Sequence, residues 1–103
     1  MDLSVELGLK EAEANTYRAF SMINKKLGKL GKAKLYLEKS IGLLEELDNP
    51  YNLGKSYCEY GRVLEDEGNN KGARMNLQKA LDIFKDLGAK KDREYVEKIM
   101  KNL

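Results

Sequence analysis

The chain has 103 residues, with 19 Lys and Arg against 17 Asp and Glu, one Cys, one Pro and no His. That is one small domain of nearly balanced charge, and no run of about 18 apolar residues offers a membrane span. Acids at Asp2 and Glu6 stand where a secretory signal needs basic and then apolar residues, and a lone Cys makes no internal disulfide, so a reducing, cytoplasmic setting is expected. Without His, a His-based triad or an ordinary zinc site cannot be assembled, so neither a cofactor nor a metal nor an enzymatic reaction is expected. At 11.7 kDa, a compact fold would expose about 5,900 Å².

Helical spacing recurs along the chain. A first helix is expected from about Glu11 to Leu27, with Tyr17, Phe20, Met22, Ile23 and Leu27 as its apolar residues. Gly28-Lys29-Leu30-Gly31 then supplies a left-handed turn. A second helix, about Lys32 to Leu47, carries Ala33, Leu37, Ile41, Leu44 and Leu47. Asn49-Pro50 reads as an N-cap followed by proline in the first helical position. A third helix, about Tyr51 to Glu67, carries Tyr57, Tyr60, Val63 and Leu64, and Gly68-Asn69-Asn70 ends it. A fourth, about Gly72 to Leu87, carries Ala73, Leu77, Ala80, Leu81, Phe84 and Leu87, with Gly88 as its stop. Asp92 is the candidate cap of a fifth, whose stripe is Val96, Ile99, Met100 and Leu103.

Displaced by forty residues, the chain matches itself. Tyr17 falls on Tyr57, Gly28 on Gly68, Ala33 on Ala73, Leu37 on Leu77, Lys39 on Lys79 and Leu47 on Leu87. Phe20 meets Tyr60, Ile23 meets Val63, Ser40 meets Ala80, Ile41 meets Leu81 and Leu44 meets Phe84, so size and polarity class persist where identity does not. The unit is helix, glycine turn, helix, linker, and one such pair cannot bury its apolar face alone, so units stack. Leu3 and Leu7 continue the same register upstream, against Leu43 and Leu47, and Gly8 meets Asp48 and Gly88. Residues 1–9 therefore read as the tail of a preceding unit. Repeats at 10–48 and 49–88 and a capping helix at 89–103 follow, all in one domain spanning 1–103.

On these residues the chain resembles the tetratricopeptide repeat family. The second unit supplies Tyr57, Gly61, Leu64, Gly68, Ala73, Leu77 and Ala80 to the family pattern, and the first supplies Tyr17, Ser21, Gly28, Ala33, Leu37 and Ser40. The first departs at Asn24, where the family has a large apolar residue, and at Ser40. The forty-residue period and the run Ala80-Leu-Asp-Ile-Phe-Lys-Asp-Leu-Gly88 resemble a longer-linker subgroup. The resemblance implies an all-α fold: an α-solenoid, right-handed, of two helix-turn-helix units plus a C-terminal capping helix.

It also implies a function. In the family the first helix of each unit lines a concave groove that takes a peptide or helix of another protein. Carried over, the groove positions are Asn15, Arg18, Met22 and Lys25, then Lys55, Cys58, Glu59, Arg62 and Glu65. The basic side chains suit carboxylates, Arg through a planar fork, and Met22 an adaptable apolar contact. The bland reading is a solvated face with local pairs such as Glu59 with Arg62 or Arg62 with Asp66. Clamping of a chaperone tail is disfavoured, because Met22 and Glu59 occupy positions where that clamp has Asn.

Three other readings stay open. The chain is a regulatory or sensor piece of a larger protein; or it self-associates as a homo-oligomer through the first helix, whose outer face lacks a stacking neighbour; or, least favoured, Lys25, Lys26, Lys29, Lys32, Lys34 and Lys39 contact nucleic acid. Cations near Cys58 would lower its pKa, yet no His is at hand as a base for nucleophilic work, so Cys58 is read as an unreactive thiol. Glu65-Asp66-Glu67 lacks the spacing of a calcium loop and reads as a solvated helix end.

Overall fold

The computed structural model describes residues 3–103, apart from the Ser4 side chain, so the expectations placed on Met1 and Asp2 lie outside the described residues. Five helices follow one another: α1 Leu3–Lys26, α2 Leu30–Leu47, α3 Pro50–Asp66, α4 Asn70–Leu87 and α5 Lys90–Lys101. The fold is an all-α helical-repeat solenoid. α1 pairs with α2 and α3 with α4; α3 also rests on α2 and touches α1, and α5 rests on α4. The chain exposes 6305 Å² and measures 46 × 32 × 18 Å. The excess over the compact expectation is that of a flattened, one-directional stack.

Local chemistry sets the turns. Gly28, Gly68 and Gly88 have φ of 78°, 83° and 69°, the left-handed conformation that terminates a helix at little steric cost. Asp48 takes the same conformation without being glycine, at φ 52°. Asn49 caps α3 as expected: its Oδ1 accepts from the Asn52 backbone N–H at 3.2 Å, ahead of Pro50. Asn69 caps α4 in the same way, accepting from Gly72 N–H at 2.9 Å.

Two boundaries differ from expectation. α1 continues through Gly8, where the register called for the end of an earlier helix. Leu7, Leu9, Lys10 and Glu11 flank that glycine with good helix formers and no proline follows, so one glycine, at about 1 kcal/mol, does not stop the helix. Asp92 does not cap α5. Ala89 holds the cap position, and Asp92 lies in the first turn, where it accepts from the Tyr51 hydroxyl at 3.1 Å.

The core follows the forty-residue register. Ala33 and Ala73, Leu37 and Leu77, Ser40 and Ala80, and Leu44 and Phe84 are buried pair by pair. Small residues permit the close approaches: a Cβ on Gly61 would lie 2.7 Å from Leu77 Cγ and 3.1 Å from the Ala73 carbonyl oxygen. Val63 packs on Ala33 and Leu37 between the units. Val96 of α5 packs with Cys58, Leu77, Ala80, Leu81 and Phe84. The recurring Tyr and Lys have a joint role. Lys39 Nζ sits 5.5 Å from the Tyr17 ring centre, and Lys79 Nζ 5.2 Å from that of Tyr57, so each unit ties its two helices by the same cation–π contact.

Candidate functional site

α1, α3 and α5 lie side by side, and a groove of about 360 Å³ runs between them. Ala19 and Met22 of α1, Cys58 of α3 and Phe84 of α4 give it an apolar floor; Asn15, Arg18, Lys55, Glu59, Asp92 and Tyr95 supply polar atoms. Six of the nine residues expected at the groove are therefore brought together: Asn15, Arg18, Met22, Lys55, Cys58 and Glu59. Lys25, Arg62 and Glu65 are not among its lining. Lys25 pairs with Asp66 at 3.9 Å. Arg62 bonds to the Tyr95 hydroxyl and stacks 5.8 Å from the centre of that ring, rather than pairing with Glu59 or Asp66.

Arg18 is not free to grip a partner. Its Nη1 donates to the Asn52 carbonyl oxygen at 3.1 Å and to Ser56 Oγ at 3.3 Å, and its Nη2 donates to Asn52 Oδ1 at 3.3 Å. Ser56 Oγ meets Ser40 Oγ at 2.8 Å, and Asn52 Nδ2 donates to Glu11 at 3.4 Å. The guanidinium thus joins α1 to α3, and burial lowers its pKa from the usual arginine value.

Cys58 is the unreactive thiol that the sequence leads one to expect, although its neighbouring cations do not set its state. Burial first, and the nearby Glu59 next, push its thiol up to about 12, outweighing Arg62 and Lys25. It is an apolar floor element, not a thiolate. One buried polar atom of the lining has no internal partner, and two charged side chains of the lining form no ion pair among the described residues. The Asn15 side-chain oxygen is buried with no hydrogen-bond partner. Glu59 and Lys55 form no ion pair among the described residues, and Lys55 Nζ hovers 5.1 Å from the centre of the Tyr51 ring.

Ala19, Phe84, Asp92 and Tyr95 were missed. The signal for the last two was present: Asp92 and Tyr95 stand forty residues beyond Asn52 and Lys55. Carrying the register one helix further would have placed α5 in the position of a third groove helix. The lysine-rich turn is partly neutralised, with Lys34 paired to Glu67 at 3.1 Å, Lys25 to Asp66, and Lys39 on Tyr17.

Stacked helix pairs with a groove along one helix of each pair define a helical-repeat protein. The particular repeat is the tetratricopeptide repeat: its family model matches residues 14–43 and 54–87, and the chain belongs to that family. A search of curated proteins finds no match to the chain. Repeats of this family are non-catalytic and generally mediate protein–protein interaction and scaffolding. Among the described residues, no helix is long and apolar enough to cross a membrane.

Proposed function

We propose that the groove between α1, α3 and α5 receives a peptide or helical segment of another protein, and that the chain serves as a non-catalytic adaptor. The observation that supports this reading is an apolar floor beside unsatisfied polar groups. Met22 and Phe84 offer burial for one apolar anchor, while the Asn15 oxygen awaits a donor and Lys55 and Glu59 await opposite charges. An unpaired buried acceptor costs about 1–3 kcal/mol, and a peptide N–H recovers it on binding. Partner-contacting roles are assigned to Asn15, Met22, Lys55 and Glu59. Arg18 and Cys58 hold the groove's shape, and Lys25, Arg62 and Glu65 lie outside its lining.

The test is selection of peptides from a random library on the folded chain, followed by titration of the best binder with amide chemical shifts as readout. Shifts concentrated at residues 15–22, 55–59 and 92–95, with binding lost in Met22→Glu at unchanged helicity, support the groove. Binders that shift other surfaces, or that tolerate Met22→Glu, refute it.

A further inference from the structure

α1 carries a second apolar stripe, largely exposed, whose Phe20 also packs against Tyr36 of α2 with ring centres 5.6 Å apart. Val5, Leu9, Ala12, Thr16, Phe20, Ile23 and Leu27 follow at spacings of 4, 3, 4, 4, 3 and 4, one line along a helix. All are exposed: Val5 by 52%, Leu9 by 56%, Phe20 by 44%, Ile23 by 54% and Leu27 by 64%. The internal repeat says what this face is for. Forty residues on, Thr16, Phe20 and Ile23 correspond to Ser56, Tyr60 and Val63. Tyr60 and Val63 pack on α2, where Val63 is 1% exposed, and Ser56 bonds to Ser40 of α2. The stripe is therefore the stacking face of the unit, and among the described residues it remains exposed. The two helix faces on which this repeat stacks, those of α2 and α4, are already covered by α3 and α5.

We propose that this stripe pairs with the same stripe of a second copy, antiparallel, about a two-fold axis at Thr16. In that arrangement the stripe is self-complementary in size. Turned end for end about residue 16, Val5 faces Leu27, Leu9 faces Ile23, and the small Ala12 faces the large Phe20. Charge agrees. Glu6, Glu11 and Glu13 outnumber Lys10 in the first half of α1, while Arg18, Lys25 and Lys26 stand in its second half with no acid, so antiparallel copies set the net-acidic half against the basic half and parallel copies set like against like. Pairing also covers Val5 and Leu9 in the first turns of α1, which are 52% and 56% exposed in the single chain. An isologous contact of this kind closes at two copies. The seam is smaller than the standard of about 800 Å² per partner, so the dimer forms at micromolar rather than nanomolar concentration. The groove lies roughly a third of a turn around α1 from the stripe, so each copy keeps its groove open and the dimer is bivalent.

Sedimentation equilibrium from micromolar to millimolar chain gives the mass. The expected result is a monomer–dimer equilibrium that shifts at least tenfold toward monomer in the Phe20→Glu, Ile23→Glu double variant, with helicity retained because both side chains are exposed, and that weakens with added salt. Orientation is read by a short bis-maleimide on single-cysteine variants. Cys58 is buried and stays silent in the parent chain. Thr16→Cys crosslinks to itself, whereas Leu27→Cys, about 33 Å from its mate in the antiparallel pair, does not. A chain that stays monomeric at millimolar concentration, a dimer that survives the double variant, or Leu27→Cys crosslinking as readily as Thr16→Cys overturns the proposal. Peptide binding in the groove is measured on the double variant, so the two readings fail separately.

Discussion

Two junctions hold the stack together, and they are built from different chemistry at matching positions. Where α3 meets the first pair, Arg18, Ser40, Asn52 and Ser56 form a hydrogen-bonded chain. Forty residues on, where α5 meets the second pair, stand Cys58, Ala80, Asp92 and Val96, and the contact is apolar apart from Asp92 with Tyr51. Both seal equally well: Ser40, Ser56, Ala80 and Val96 are all fully buried. The repeat therefore preserves volume and leaves polarity free to vary, provided that polar groups enter as a complete set. The energetic consequence differs. A net hydrogen bond contributes about 0.5–1.5 kcal/mol, whereas burying a Val or Phe side chain contributes about 1.5–3 kcal/mol. The second junction stabilises by burial throughout; the first adds to the burial of Val63 on Ala33 and Leu37 a hydrogen-bonded chain that fixes the α1–α3 register.

The largest effects are expected at the apolar junction. Phe84→Ala removes a side chain that is 2% exposed and lies against both Cys58 and Val96, and should lower unfolding free energy by about 3–5 kcal/mol in urea titration. Next comes one repeat position in two settings. Val63→Ala should cost about 2 kcal/mol, because Val63 packs between units. Ile23→Ala, its exposed counterpart, should cost under about 0.5 kcal/mol in dilute chain. Equal losses would mean that the first unit is not open-faced.

The polar junction is probed by completeness. Ser56→Ala alone leaves Ser40 without its partner and removes one of the two acceptors of Arg18 Nη1, and should cost about 1–2 kcal/mol. Ser40→Ala combined with Ser56→Val imitates the second junction, and should cost less than the sum of the single changes in a double-mutant cycle. Additive losses would show that the two hydroxyls do not act as a pair.

Alkaline pH distinguishes the same two positions. The Cys58 thiol is raised from its ordinary value of 9.0 to about 12, so the folded state holds its proton where the unfolded chain has lost it. Its contribution is present in full below about pH 9 and disappears as pH rises toward about 12. The melting temperature should fall across that window, and less steeply in Cys58→Ala. Tyr57 and Tyr60, also raised by burial and by Glu45 and Glu38, add to the fall with the same sign above about pH 10. The smallest effect is at the helix ends. Asp48 takes the left-handed conformation that Gly88 takes in the second unit. Asp48→Gly should stabilise by about 0.5–1 kcal/mol, by thermal melting.

The sequence alone determined the helices, the turns and the repeat. Each rests on signals spanning only a few residues, such as Gly28, Gly68 and Gly88 at positive φ, Asn49 before Pro50, and apolar residues every three or four. The forty-residue register likewise located the buried pairs Ala33/Ala73 and Leu37/Leu77, because stacked units repeat their contacts. Tertiary structure alone decided the rest. It turned Arg18 inward to Asn52 and Ser56, placed Tyr95 and Phe84 at the groove, pushed the Cys58 thiol up by burial, and left Phe20 and Ile23 exposed. In each case the deciding quantity is what stands across the gap from the side chain. Desolvation, hydrogen-bond partners and exposure are properties of pairs far apart in the chain, 34 residues for Arg18 and Asn52, and no local pattern encodes them.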